Sequence, residues 1–69
     1  MKEKFSQRLY QLRKDLNLKQ SELAKSIKTT QRRISYFESG QIEPDIDTLI
    51  LLAEFFEVSI DYLVGYKDF

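Results

Sequence analysis

The side chains best suited to chemistry lie in one short segment near the middle of the chain. At about 100° per residue, a helix there that buries Ile34 and Phe37 turns a set of polar side chains outward. This set consists of Arg32, Ser35, Tyr36 and Ser39, with Gln31 and Arg33 at its borders. Such groups can hydrogen-bond base edges or phosphates, and a glutamine can bond both N6 and N7 of adenine. An ordinary solvated helix face has the same composition, so the setting of the segment must decide.

Hydrophobic periodicity predicts five helices that would position this segment. Their apolar stripes are Phe5, Leu9, Leu12 and Leu16 in the first, Leu23, Ala24 and Ile27 in the second, Ile34 and Phe37 in the third, Leu49, Leu52, Ala53 and Phe56 in the fourth, and Ile60 and Leu63 in the fifth. The predicted N-caps are Thr30, Asp45 and Ser59, and the predicted stops are Asn17, Gly40 and Gly65. No long segment alternates with a period of two, so the sequence predicts an all-α fold.

Length and composition restrict the class of protein further. A chain of 69 residues permits one domain, and it contains neither Cys nor His. The usual zinc ligands and the usual general base are therefore missing, and no nucleophile is paired with a base. We expect no metal, no cofactor and no enzymatic activity. Because no apolar run approaches the roughly 20 residues that cross a bilayer, and residues 1–4 do not resemble a signal peptide, we expect a cytoplasmic protein without a membrane partner.

The formal net charge of zero conceals a strong asymmetry along the chain. Residues 1–36 carry ten basic and three acidic side chains, whereas residues 37–69 carry one basic and eight acidic ones. A basic half is typical of a surface that binds a polyanion. Two oppositely charged faces that attract each other within the fold would produce the same count, and the charges alone do not separate these interpretations.

A turn of three residues, 28–30, joins the second and third helices in the layout of a helix-turn-helix. At this point the sequence resembles the phage repressor and Cro-like helix-turn-helix family, also called the XRE type, from about residue 5 to residue 65. The matching residues are Leu9, Arg13, the run from Leu18 to Ala24, the run from Ile34 to Gly40, Pro44, Thr48, Leu49, Leu52, Ala53, Val58, Ser59, Asp61, Tyr62 and Leu63. The resemblance implies a compact five-helix lambda-repressor-like domain over residues 1–69, with the helix-turn-helix at about 20–39.

Carried over position by position, the resemblance implies a set of contacts with the major groove of double-stranded DNA. Gln20 would clamp a phosphate beside Lys19. Base-reading positions fall on Gln31, Arg32 and Tyr36; supporting base or phosphate contacts fall on Thr30, Arg33 and Ser35; and Ser39, Gly40 and Gln41 would meet the opposite phosphate strand. Thr30 could instead be only a cap, and the Tyr36 ring could lie along its own helix. Arg13 and Glu38 match a structural salt bridge and are not expected to touch DNA.

Two positions depart from the family pattern. Lys28 stands where the family usually has a glycine in the turn, and a left-handed residue with a side chain costs about 1 kcal/mol. Lys19 replaces the usual Ser or Thr cap of the second helix, so cap energy is lost. Both changes could alter how deeply the third helix sits in the groove.

Apolar side chains on the outer side of the fourth helix predict a partner. Leu51 lies opposite the core stripe, with Ile50 and Phe55 beside it. Together with Tyr62, Tyr66 and Phe69, these residues are the expected contact of a homodimer. A two-fold dimer would set its reading helices roughly 34 Å apart on a palindromic operator. The alternative is that the C-terminal tail folds back and covers these groups within the monomer.

The sequence therefore predicts a sequence-specific DNA-binding transcriptional regulator. The resemblance implies a repressor of phage or mobile-element type, encoded by a bacterium or phage and associated with the nucleoid. An antitoxin-like or other protein-interaction module is the alternative, in which the acidic half binds a protein and DNA binding is secondary. Neither the operator nor the regulated genes follow from the sequence.

Overall fold

Five helices make up the described chain. The computed structural model describes the backbone of residues 2–69 and the side chains of residues 3–69, so Met1, the first residue of the predicted domain 1–69, lies outside the described residues. The helices are α1 (Lys2–Asp15), α2 (Gln20–Ser26), α3 (Gln31–Ser39), α4 (Ile46–Phe56) and α5 (Ile60–Leu63). Residues 2–69 contain no strand, so the predicted all-α fold is confirmed. No helix within the same range is long and apolar enough to span a bilayer.

Side-chain caps begin three of the helices, as the sequence predicts. The caps are Thr30, which accepts from the backbone N–H of Arg33 at 3.2 Å, Asp45, which accepts from that of Thr48 at 3.3 Å, and Ser59, which accepts from that of Tyr62 at 3.0 Å. Each cap satisfies a backbone donor that has no partner within its helix. The starts of α3, α4 and α5 are therefore fixed by local sequence.

A left-handed residue follows each helix. These residues are Asn17 (φ 56°), Lys28 (φ 60°), Gly40 (φ 81°), Glu57 (φ 56°) and Gly65 (φ 85°). The next N–H then bonds back to a carbonyl of the last helical turn, as at Thr29, which donates to the Ala24 carbonyl oxygen at 2.8 Å. Glycine adopts this conformation without a steric cost, whereas each of the other three residues costs about 1 kcal/mol. The predicted stops are thus confirmed, and Lys28 holds the turn that a glycine would hold more easily.

The core lies where α1 and α2 pack on α3, and it continues into α4 and α5. Its buried apolar residues are Phe5, Leu9, Leu23, Ala24, Ile27, Ile34, Phe37, Leu49, Leu52, Ala53 and Leu63. Phe5 meets Phe37 edge to face, with ring centroids 5.8 Å apart. Because α3 is held by α1 on one side and α2 on another, its remaining side is left facing outward.

Two sequence-based expectations about apolar residues are wrong. Leu16, expected in the core stripe of α1, is 55% exposed because the helix ends at Asp15 and the chain turns at Asn17. Phe55, expected to face outward from α4, is partly buried, packs against the core and meets Phe56 edge to face at 5.0 Å. Phe55 lies at the border of the buried face, where a long ring can bend toward the core.

Candidate nucleic-acid interface

The turn between α2 and α3 sets the angle between these two helices. The N–H of Thr29 donates to the Ala24 carbonyl oxygen, and the N–H of Lys28 donates to the Lys25 carbonyl oxygen at 3.3 Å. Thr30 then caps α3, so only four residues, 27–30, separate the two helices. Lys28 in place of glycine therefore leaves a closed turn of the helix-turn-helix type.

The N-terminus of α2 compensates in part for the missing Ser or Thr cap. Lys19 makes no capping bond with its side chain, but its backbone N–H donates to the Glu22 carboxylate at 2.7 Å. Lys19 is exposed, and it lines a shallow cleft together with Gln20, Ser21 and Gln31. Ser21 was not among the residues predicted at this site, although its position directly after Gln20 on α2 was a usable signal.

The outward face of α3, defined by Arg32, Ser35, Tyr36 and Ser39, is only partly covered by the rest of the described chain. Arg32 is exposed and makes no hydrogen bond or ion pair with the residues that the structure describes. Ser35 and Tyr36 are half-buried, and the Ser39 hydroxyl donates to the Tyr36 carbonyl oxygen at 3.2 Å. A guanidinium carries five donors in a planar fork. The center of this face therefore presents an uncommitted donor group to the solvent.

On one side of this face lies the α2 border, defined here by Gln31 and its partner Gln20. Gln31 Nε2 donates to Gln20 Oε1 at 2.6 Å, and Gln20 Nε2 donates to Glu38 Oε1 at 3.0 Å. The two glutamines come from the first residues of α2 and α3. Their hydrogen bonds fix the relative position of two side chains that the sequence predicts at the interface.

The α2 border ends on a buried ion pair between α1 and α3. Arg13 Nε and Nη2 donate to the Glu38 carboxylate at 2.6 and 2.9 Å, and the two side chains are only 9% and 5% exposed. Arg13 Nη1 also donates to the Leu18 carbonyl oxygen at 2.7 Å. Its hydrogen bond with Glu38 raises the pKa of the Arg13 guanidinium. The salt bridge that the family resemblance implies is present in the structure. Glu38 of this pair also accepts from Gln20, and Gln20 accepts from Gln31, so the pair holds both glutamines in position.

On the other side lies the α4 border, defined here by Arg33 and Asp45. Arg33 Nη2 meets Asp45 Oδ1 at 3.0 Å, and Arg33 Nη1 donates to the Thr29 hydroxyl oxygen at 3.1 Å. The guanidinium carbon also lies 5.1 Å from the center of the Phe37 ring. Asp45 accepts from the hydroxyl of Thr48 at 2.6 Å, and its bonds to Thr48 and then to Arg33 lower the pKa of its carboxyl to about 2. The sequence reasoning selected Arg33 but missed its partners.

The residues just after α3 are arranged differently from those at its start. Gly40 donates its backbone N–H to the Phe37 carbonyl oxygen at 3.3 Å, and Gln41 donates its own to that of Tyr36 at 3.0 Å. Both backbone N–H groups are therefore engaged in hydrogen bonds that end α3. Gln41 is exposed, so its side chain is the group at this end that remains available for a phosphate.

Charge is concentrated in this part of the chain. From residue 19 to residue 36 there are five basic side chains and one acidic one, Glu22, which is engaged at the start of α2. Of the basic residues, Lys19, Lys25, Lys28 and Arg32 are exposed. The helix-turn-helix segment thus carries a net positive charge on exposed side chains, which attracts a polyanion.

Four of the six expected dimer residues are exposed, and these four fall into two groups. Ile50 and Leu51 on α4 are 41% and 45% exposed, whereas Tyr66 and Phe69 in the tail are 79% and 83% exposed. The tail leaves Ile50 and Leu51 exposed, and it is held instead by Arg8, which bonds the carbonyl oxygens of residues 62 and 67 and meets Asp68 at 3.0 Å. The alternative that the tail hides these apolar groups within the monomer is therefore wrong.

One expected dimer residue is already engaged, and one exposed residue was missed. The half-buried Tyr62 ring stacks under the guanidinium of Arg8, whose carbon lies 4.3 Å from the ring center. Ile46, in the first turn of α4, is 64% exposed and was not selected from the sequence. Its position four residues before Ile50 was the available signal, because residues four apart share a helix face.

Five helices in this order, with a partly exposed α3 reached through a four-residue turn, define a protein of the helix-turn-helix class. The helix-turn-helix family model matches residues 9–63, and the chain belongs to that family.

Relatives extend this finding. The chain is 36% identical over 64 residues to YobD of Bacillus subtilis (strain 168), an uncharacterized HTH-type transcriptional regulator, covering 93% of this chain and 57% of YobD. It is 38% identical over 64 residues to BcrR of Enterococcus faecalis, an HTH-type transcriptional activator, covering 93% of this chain and 31% of BcrR. The chain thus spans about half or less of the length of these two relatives.

A solved structure of a protein–DNA complex has the same fold. The P22 c2 repressor protein bound to a synthetic operator superposes with a TM-score of 0.82 at 30% sequence identity. The match covers 86% of this chain and 89% of the repressor chain. The lambda-repressor-like fold that the sequence predicts is thereby confirmed.

Proposed function

We propose that this chain binds double-stranded DNA by placing α3 in the major groove and regulates transcription as a repressor. The observation that carries the proposal is the state of Arg32, exposed and without a partner among the described residues, while both borders of α3 are fixed by bonds to neighboring helices. A rigid helix with an uncommitted guanidinium in its first turn suits bidentate recognition of guanine O6 and N7. The similarity to the P22 c2 repressor, itself solved with an operator, supports the same assignment.

The proposed contacts divide by the chemistry of each side chain. Base edges are read from Gln31, Arg32 and Tyr36, with Ser35 between them. Phosphates are held by Lys19, Gln20 and Gln41, with Thr30 close to the same backbone, and Ser39 can join them only when its hydroxyl leaves the Tyr36 carbonyl oxygen. Phosphate contacts supply most of the affinity and fix the register, whereas base contacts supply the sequence preference. Residues 1–69 act in this proposal as one DNA-binding unit in the cytoplasm, associated with the nucleoid.

A homodimer completes the proposal. The exposed apolar residues of α4, Ile46, Ile50 and Leu51, together with Tyr66 and Phe69, offer the contact surface. Exposed apolar patches of this kind are typical of association surfaces. A two-fold dimer would present two copies of α3 roughly one helical turn of DNA apart, so its operator would be palindromic.

Selection of bound duplexes from a random pool tests the proposal, with wild type and Arg32→Ala compared in parallel. We expect wild type to return an inverted repeat. Arg32→Ala should lower discrimination at one base position per half-site by about 1–3 kcal/mol, because the bidentate contact is lost. Lys67→Ala removes the same charge from the tail, far along the chain from α3, and should leave the preference unchanged. An unaltered base preference in Arg32→Ala would show that the groove assignment is wrong.

A further inference from the structure

Arg33 stands at the edge of the proposed interface, yet its guanidinium is turned to the protein itself. It meets Asp45 at 3.0 Å and the Thr29 hydroxyl at 3.1 Å. Both members of the ion pair are well exposed, since the side chain of Arg33 is 41% accessible and that of Asp45 is 55% accessible. An exposed pair of this kind shifts an equilibrium by only about 1.5- to 5-fold, so a stronger anion can replace the carboxylate.

Asp45 does not depend on Arg33 for its own position. Its carboxylate caps α4 by accepting from the Thr48 backbone N–H at 3.3 Å and from the Thr48 hydroxyl at 2.6 Å. These bonds fix the carboxylate at the first residue before the helix. Arg33, on a long flexible side chain, is thus the mobile partner of the pair.

We propose that Asp45 lowers the affinity of the interface for DNA by holding Arg33 away from the phosphodiester backbone. The inference rests on the proposed function, because it requires α3 to bind DNA. Arg33 follows Arg32 directly and lies in the first turn of α3, beside the groove-reading side chains. A guanidinium binds a phosphate bidentately, and the bonds of Nη1 to Thr29 and of Nη2 to Asp45 hold these donors on the protein. The carboxylate therefore competes with DNA for the same cation.

The geometry allows the charge to be removed without removing the cap. Asparagine caps a helix about as well as aspartate, so Asp45→Asn keeps an acceptor for the Thr48 backbone N–H while it loses the anion that holds Arg33. Asp45→Ser is a second neutral variant that also caps well. Circular dichroism and thermal unfolding of both variants verify that α4 remains in place.

The test measures binding to a random-sequence duplex of about 20 base pairs, so it does not require knowledge of the operator. We expect Asp45→Asn to bind about two- to fivefold more tightly than wild type at 0.1 M salt, an order-of-magnitude estimate from the values of exposed ion pairs. The slope of log K against log salt should steepen by about 0.9, the value for one added phosphate contact. Asp45→Ser should show the same gain.

Two controls separate release of Arg33 from a general loss of negative charge. Asp47→Asn removes the same charge two residues away, where the Asp47 side chain makes no hydrogen bond or ion pair with the residues that the structure describes. It should leave the salt slope unchanged and give a smaller gain. In an Arg33→Gln background, Asp45→Asn should bind no more tightly than Asp47→Asn does, because no cation is left to release.

The outcomes are distinguishable. Equal effects of Asp45→Asn and Asp47→Asn, or an undiminished gain in the Arg33→Gln background, would overturn the inference while leaving the proposed function intact. Failure of the wild-type chain to bind duplex DNA at low salt would refute the proposed function, and this inference with it. A gain that requires Arg33 and is accompanied by a steeper salt slope supports both.

Discussion

The two borders of α3 use opposite chemistry. At the α2 border, neutral amide hydrogen bonds connect Gln31 through Gln20 to an ion pair that is almost completely buried. At the α4 border, a charged guanidinium meets a carboxylate that solvent reaches easily. The first arrangement is costly to break and carries no net charge into the interface. The second is easily exchanged, and it engages a cation that would otherwise face the DNA backbone.

Because of this difference, one border affects how rigidly α3 is held and the other affects the affinity of the interface for DNA. A buried pair loses much of its energy when one member is removed, because the other charge remains without a partner. An exposed pair is screened and contributes little to stability. We infer that the α2 border fixes the direction of α3, whereas the α4 border adjusts how strongly the interface attracts phosphate. Three changes, from the largest effect to the smallest, test this contrast.

The largest effect is expected when the α2 border loses its buried anchor. Arg13→Met leaves the Glu38 carboxylate buried with Gln20 as its remaining side-chain donor, so the free energy of unfolding should fall by about 3–5 kcal/mol. Urea denaturation measures this loss. In the double variant Arg13→Met, Glu38→Leu, much of the stability should return because no buried charge is left. DNA binding should remain weakened, since Gln20 has lost its acceptor. A loss below about 1 kcal/mol in Arg13→Met would contradict the assigned role of the pair.

A smaller effect is expected when the neutral part of the same border is removed. Gln20→Ala deletes the bond to Gln31 and a proposed phosphate contact, and should weaken binding of the selected operator by about 1 kcal/mol. The salt slope should stay the same because no charge is changed. Gln11→Ala, which removes a hydrogen-bonded glutamine from α1, is the matched control and should bind like wild type. Wild-type affinity in Gln20→Ala would contradict the proposed contact between α2 and DNA.

The smallest effect concerns acid stability at the α4 border. Asp45 has a pKa of about 2 in the folded chain, below its ordinary value of 3.8. Between these two values the unfolded chain binds more protons, so stability falls as the pH is lowered through this range. Asp45→Asn should reduce the dependence of the free energy of unfolding on pH in this range, as measured by urea titrations from pH 2 to pH 7. Arg33→Gln should keep most of this pH dependence, because the bonds to Thr48 are the larger cause of the lowered pKa of Asp45. Equal slopes for Asp45→Asn and wild type would be inconsistent with this assignment.

Helix positions and caps were accessible from the sequence because they depend on local chemistry. Thr30, Asp45 and Ser59 begin their helices through bonds three residues ahead, and Gly40 ends α3 in a conformation that suits glycine. The pair of Arg13 and Glu38 followed from the family resemblance. In each case the relevant information lies within one helical turn or within a known pattern.

The parts that the sequence did not predict involve competition between distant groups. A helical wheel gives the direction of Arg33 but not its partner, because Asp45 lies twelve residues away across the loop. The same wheel placed Phe55 outward, although a large ring at the border of a buried face can reach the core. Leu16 was misassigned because the period of α1 continues past the residue at which its hydrogen bonds stop.

The central claim is that α3 meets DNA through its outward face, and backbone amide chemical shifts recorded during titration with the selected duplex test it most directly. The account predicts that the largest changes occur in residues 19–22 and 29–36, with smaller ones around residue 41. Changes confined to α4, α5 and the tail, with α3 unaffected, would contradict it.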